Sequence, residues 1–181
     1  MTSANRECHP PPEVPAHIPH PPAVRPQTNH GAGFWFSTPE RLASLHAEAL
    51  SWVGTPWFPN SSTKGQGVSC QKLACEIYRA IGCVDTEVPE VPMSHARFSS
   101  ESLLEKWVSA RPDFSRVDAP MGGDLLGFRI GRTVHHCGIY LGRGEFIHAI
   151  DHIGTVISQL NDATWSSRLA FIWRPHERPS P

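Results

Sequence analysis

A chain of 181 residues suits one domain with a real core, because domains cluster near ~100 to 150 residues. Its net charge of -1 and isoelectric point near 6.8 lack the clustered basic excess of a nucleic-acid binder, and no run approaches the ~18 continuous apolar residues of a membrane span. The five cysteines, Cys8, Cys70, Cys75, Cys83 and Cys137, are an odd set with no metal-ligand spacing, which excludes a small disulfide scaffold and favours a reducing compartment.

From Met1 to Gly33 there are eight prolines and almost no large apolar residue. Such a stretch has little to bury against the entropy of ordering, so residues 1–33 are expected to form an extended, disordered tail ahead of a domain over 34–178. Cys8, His9, His17, His20 and His30 are irregularly spaced among the prolines, which favours a solvated tail over a metal site. No charged segment followed by an apolar run is visible, so no secretory signal is read and a cytoplasmic location is expected.

Ordered structure should begin near Phe34-Trp35-Phe36. Thr38 and Pro39 mark a helix start, Leu42, Leu45, Ala49 and Trp52 its buried face, and Gly54-Thr55-Pro56 its end; His46 on it is structural or exposed. Asn60 to Gly67 is read as a polar loop. A second helix follows with Ser69 as N-cap, Leu73, Ala74, Ile77, Tyr78 and Ile81 as apolar stripe, and Gly82 as stop; Cys75 and Cys83 read as packing. Val84 to Ser99 is Pro-interrupted, in a position to cover a site, and Ser100 to Ala110 is a third helix with Leu103, Leu104 and Trp107 inward.

From Gly123 the period becomes alternating. Strands are predicted at Asp124 to Ile130, Val134 to Leu141, Glu145 to Ile150, Thr155 to Ser158 and Leu169 to Trp173. Helices followed by an antiparallel sheet of five to six strands indicate the α+β class.

Cys70 opens the second helix. A free thiol has a pKa near ~8.5, and a helix N-terminus or a neighbouring imidazolium lowers it to roughly 3.5 to 7.5. The Cys70 backbone N–H, in the first turn, is a candidate oxyanion donor. The plain alternative is a buried cysteine, which the polar neighbours Ser69, Gln71 and Lys72 argue against. A three-residue hairpin loop at Gly142-Arg143-Gly144 would set Leu141 opposite Glu145, Gly138 opposite His148 and His136 opposite Ile150. His136 and His148 then share a face as diagonal neighbours about 7 to 8 Å apart, with His135 on the other face. A two-residue loop would reverse that facing. In this arrangement His136 takes the Cys70 proton and His148 orients His136.

Gly54-Thr55-Pro56-Trp57, Cys70 at a helix start, Gly123-Asp124-Leu125-Leu126-Gly127-Phe128, His136-Cys137-Gly138-Ile139-Tyr140-Leu141-Gly142 and Phe146-Ile147-His148-Ala149 together resemble the NlpC/P60 peptidases. The likeness covers about Leu42 to Arg174. It implies a papain-like α+β fold, a Cys-His-His site at Cys70, His136 and His148, and hydrolysis of bacterial cell-wall peptides, commonly between D-γ-glutamyl and a diamino acid, with no metal or organic cofactor. Members usually read Asp-Cys-Ser-Gly at the nucleophile, where this chain has Ser69-Cys70-Gln71-Lys72, and often carry Tyr where Trp57 stands. That Asp and Tyr help to recognise a free peptide amine, so a different selectivity is expected, with Trp57, Ser69, Gln71 and His135 as candidate substrate-binding residues. For a wall enzyme, the missing leader points to cytoplasmic recycling, a phage-borne protein or export by another route. Two other functions compete: a lipid- or small-molecule-directed acyltransferase or amidase on the same fold, and a catalytically silent wall-peptide-binding module whose Pro-rich tail recruits a partner.

Overall fold

The computed structural model describes residues 33–90 and 101–178. Apart from Gly33, the expected tail lies outside the described residues, with Cys8 and the four tail histidines. Gly33 is tied down, its carbonyl accepting the Glu177 N–H, and Phe34 bridges to His176. The first helix, α1 (Pro39–Trp52), starts as predicted: Thr38 Oγ1 accepts the Arg41 N–H, and Pro39 sits where no backbone donor is needed. Leu45, Ala49 and Trp52 are buried, while Leu42 is half-buried at the rim. His46 is structural, its ring Nε2 lying 2.7 Å from the Leu141 carbonyl.

The stretch read as a polar loop contains a small antiparallel ribbon, β1 (Ser62–Thr63) paired with β2 (Gly67–Val68). Alternation could not reveal it, because backbone bonds and a 2.7 Å bond from Ser61 Oγ to the Gly67 carbonyl hold it together. Directly after comes α2 (Cys70–Ala80). Leu73, Ala74, Ile77 and Tyr78 are buried on it with Cys75, and burial of each large aliphatic contributes about 1.5 to 3 kcal/mol. Ile81 lies past the last turn and is half-buried, and Gly82 ends the helix at φ 76°. Ser69 occupies the N-cap position in extended conformation, but its hydroxyl makes no capping bond, contrary to expectation.

Of the Pro-interrupted segment, the described part ends at Glu90, with Val84 and Val88 buried; residues 91–99 lie outside the described residues. The third helix, α3 (Leu103–Ser109), is shorter than predicted. Ser102 ends it on the N-terminal side, its Oγ accepting the Glu105 N–H and donating to the Val134 carbonyl. Leu104 and Val108 are buried, and Trp107 is half-buried.

Six strands form one sheet: β3 (Phe114–Val117), β4 (Leu125–Ile130), β5 (Thr133–Gly142), β6 (Glu145–Ile150), β7 (Gly154–Gln159) and β8 (Leu169–Pro175). Their order is β3-β8-β4-β5-β6-β7 and every neighbouring pair is antiparallel, so the fold is α+β as expected. Beyond the β1–β2 ribbon, two further elements were not predicted, the short strand β3 at the edge beside β8 and a single-turn helix, α4 (Ala163–Ser166). Strand β4 starts one residue late because Asp124 belongs to the preceding turn, where its Oδ2 accepts the Met121 N–H at 2.7 Å. One face, carrying Cys137, Ile139, Ile147 and Ala149, packs with α1 and α2 in the main core. The other carries Leu126, Phe128, Phe146 and Ile172, with Tyr140 and Trp165 against them.

The β5–β6 hairpin reaches the predicted facing by a different route. The turn is two residues, Arg143 and Gly144, both at positive φ (54° and 85°), with Gly142 opposite Glu145. Alone it would reverse the facing, but the register shifts between Tyr140 and Gly142, and the extra residue, Leu141, restores it. Ile139 therefore pairs with Ile147, which sets Gly138 opposite His148. A Cβ on Gly138 would lie 2.6 Å from the Ile147 carbonyl oxygen and 2.9 Å from the Phe146 ring, so only glycine allows this approach.

Candidate active site

Cys70 is the first residue of α2 and is 7% exposed, at the wall of a cavity of about 690 Å³. Trp57, Ser69, Gln71, His135 and His136 line the same cavity, so all four candidate substrate-binding residues border it. His148 is wholly buried behind His136. Leu103, Leu104, Trp107, Val88 and Trp165 give the cavity an apolar stretch, and Glu90, Glu101, Lys106 and Asp151 line it too. The described end of the Pro-interrupted segment, Val88 to Glu90, also borders the cavity.

A bulge in β5 shapes this region. Phe128 pairs with His136 and Arg129 with Val134, leaving His135 as the extra residue. The His135 carbonyl accepts the Gln71 Nε2–H at 2.6 Å and lies 3.8 Å from Cys70 Sγ. Gln71 thus locks the start of α2 to β5, a positional role as well as a cavity-facing one. Trp57 is held in place by a bridge to Val68.

The Cys70 thiol has its pKa lowered well below the ordinary value. The largest cause is a hydrogen bond from the Cys137 thiol, which stabilises the thiolate; His136 adds charge and a further hydrogen bond, and burial works in the opposite direction. Cys137 is the protonated partner, its own pKa raised by that bond and by burial. Burial likewise pushes the thiols of Cys75 and Cys83 up, which leaves them inert packing as expected.

Behind the thiol runs a polar row across three strands. His136 Nε2 lies 2.8 Å from His148 Nδ1, and His148 Nε2 lies 2.8 Å from Ser158 Oγ on β7. Burial, then the charge of His136, lowers the His148 pKa to about 3, so His148 is neutral at ordinary pH. With Nε2 of His136 committed to His148, its Nδ1 is the nitrogen left for Cys70. Trp165 stacks on the His136 ring, centroids 5.4 Å apart at 25°, and meets His148 edge-on at 4.6 Å. Phe128 and Phe146 complete the box. Such an arrangement can hold a thiolate beside an imidazolium in a site largely shielded from water.

Sequence reasoning missed Ser158, Trp165 and the contact of Cys137 with Cys70. Ser158 had a signal: with His148 opposite Val156, a residue two further along β7 shares its face. Trp165 had none, because it sits on the unpredicted helix α4. Among the described residues no group of three or more His, Cys, Asp or Glu is placed to hold a metal, and no helix is long and apolar enough to cross a membrane.

Residues 61–174 match the NlpC/P60 family. The murein DD-endopeptidase MepS/murein LD-carboxypeptidase of Escherichia coli K12 is 46% identical over 46 residues, 25% of this chain and 24% of that protein, so the chain spans about a quarter of that relative. A probable endopeptidase of Haemophilus influenzae is 24% identical over 127 residues, 69% of each chain. A crystal structure of a Staphylococcus aureus protein similar to lipoprotein, NLP/P60 family, has a TM-score of 0.55 at 22% identity, covering 83% of this chain and 46% of that one; the likeness is one of fold.

Proposed function

Because the chain belongs to the NlpC/P60 family, we propose that it is a cysteine peptidase or amidase that hydrolyses amide bonds of bacterial cell-wall peptides. The observation that carries this reading is the low-pKa Cys70 at the start of α2, beside a His136–His148 pair. The Cys70 thiolate attacks the amide carbonyl carbon, and the oxyanion that forms is stabilised by the Cys70 backbone N–H. Collapse of the tetrahedral adduct breaks the C–N bond, the leaving nitrogen takes the proton held at His136 Nδ1, and a thioester remains on Cys70. Water then attacks the thioester while His136 accepts its proton, releasing the carboxylic product and free Cys70. Neutral His148 accepts the His136 Nε2–H throughout and holds the ring in place.

Trp57, Ser69, Gln71 and His135 form the binding edge in this reading, and the proposed scissile bond is D-γ-glutamyl to a diamino acid. One observation favours a second reading, amide hydrolysis or acyl transfer on a lipid or other apolar substrate. Leu103, Leu104, Trp107 and Val88 give the cavity an apolar stretch that suits such a substrate. A panel of muropeptides, ordinary L-peptides, N-acyl amides and lipid acyl donors, incubated with wild type and Cys70→Ala, decides between them by mass spectrometry of products. The wall-peptidase reading expects Cys70-dependent cleavage of muropeptides alone. Turnover confined to the acylated compounds selects the second reading, and no turnover by folded wild type overturns both.

A further inference from the structure

His136, His148 and Ser158 step diagonally across β5, β6 and β7 on one face of the sheet. Gly138 is opposite His148, and Phe146 is opposite Ser158, with each polar ring contact at 2.8 Å. A neutral imidazole carries one ring proton, so the two contacts of His148 are not independent: one of its nitrogens donates and the other accepts. For the ion pair with Cys70, His136 must carry protons on both nitrogens, and its Nε2–H needs an acceptor. His148 Nδ1 is that acceptor only if the His148 proton sits on Nε2, pointing at Ser158.

The opposite tautomer blocks the chemistry. With its proton on Nδ1, His148 would donate to His136 Nε2. A neutral His136 would then hold its own proton at Nδ1, facing Cys70, and would have no lone pair there to receive the thiol proton. The choice of tautomer therefore decides whether His136 can act as a base.

Resting on the Cys70–His136 reading above, we propose that Ser158 is a positioning residue: its Oγ accepts the His148 Nε2–H and so supports the tautomer that leaves Nδ1 open to a doubly protonated His136. The surroundings favour this division of labour. Phe146 and Trp165 flank His148 with apolar rings, and His136 is the titratable group that acts on its charge. Ser158 is thus the polar partner at Nε2.

The test uses the full chain with 15N-labelled histidine, comparing wild type, Ser158→Ala and Ser158→Thr. Long-range 1H–15N spectra read the His148 tautomer at neutral pH, and iodoacetamide alkylation of Cys70 at pH 6 reads its ionisation. Wild type and Ser158→Thr should show the Nε2–H tautomer. Ser158→Ala should show mixed or Nδ1–H signals and alkylate about tenfold more slowly, equivalent to one pKa unit. The proposal is overturned by an Nδ1–H tautomer in wild type, or by a Ser158→Ala protein whose tautomer and alkylation rate are unchanged. His136→Ala separates the two levels: if it leaves Cys70 alkylation untouched, the base reading fails, whereas a response to His136→Ala with none to Ser158→Ala fails the Ser158 assignment alone.

Discussion

Two buried polar clusters share one sheet and do different work. Asp124, in the turn before β4, and Arg174 of β8 are joined by two hydrogen bonds, 3.0 Å from Nε to Oδ1 and 2.8 Å from an Nη to Oδ2, with Asp124 completely buried. Burial pushes the Asp124 carboxyl up, and Arg174 with the Met121 N–H pulls against that. In the row Cys70, His136, His148, Ser158 the first three are buried and Ser158 is half-buried, yet His148 and Ser158 are neutral and the charge gathers only at the thiol end. The first cluster fixes a fold by pairing full charges; the second is joined by hydrogen bonds between groups that stay neutral away from the thiol.

That difference predicts what each cluster loses on mutation. Asp124→Ala should cost about 3 to 5 kcal/mol, because it strands a guanidinium whose side chain is only 18% exposed; urea unfolding at pH 7 measures it. Cys70→Ala should leave the unfolding free energy from urea melts within about 1 kcal/mol of wild type, and a larger loss would make Cys70 a core residue first.

The second contrast is in acid. An unfolded histidine binds its proton near ~6.5, and folded His148 is held down to about 3. Between those values the unfolded chain binds more protons, so the stability from neutral His148 is present above ~6.5 and is lost as pH falls toward 3. The slope should reach up to ~1.4 kcal/mol per pH unit and disappear in His148→Gln, as read by urea midpoints at pH 7 and pH 4.5.

Smaller effects sharpen the picture at the edges of the site. Cys137→Ala removes the thiol that donates to Cys70, so the Cys70 pKa should rise and alkylation at pH 6 should slow about fivefold, the value of ~1 kcal/mol for one hydrogen bond. Ser102→Ala removes the cap of α3 and its tie to the Val134 carbonyl, for a loss of about 1 kcal/mol in thermal or urea unfolding.

Much of this was legible in the chain. The α2 stripe from Leu73 to Tyr78 and the start of α1 at Thr38-Pro39 carry strong local signals, and both formed where periodicity and capping chemistry put them. The shared face of His136 and His148 was also readable, though its mechanism was not: a bulge at Leu141 compensates for a two-residue turn. Bulges leave no composition signal, which is why the one at His135 was missed together with the carbonyl it offers to Gln71. The strand β3 was hidden because four residues at an edge owe their conformation to β8 rather than to their own pattern. Trp165 and the Cys70–Cys137 contact depend on tertiary approach between distant segments, which spacing along the chain does not encode.

The pairing of Cys70 with His136 proposed above is tested most directly by the pH dependence of Cys70 alkylation by iodoacetamide, in wild type and His136→Ala. A thiolate already present well below the ~8.5 of a free thiol, with the curve moving to higher pH when His136 is removed, is the predicted result. A wild-type curve at or above the free-thiol value, unchanged in His136→Ala, would contradict the account and return Cys70 to the packing role that Cys75 and Cys83 fill.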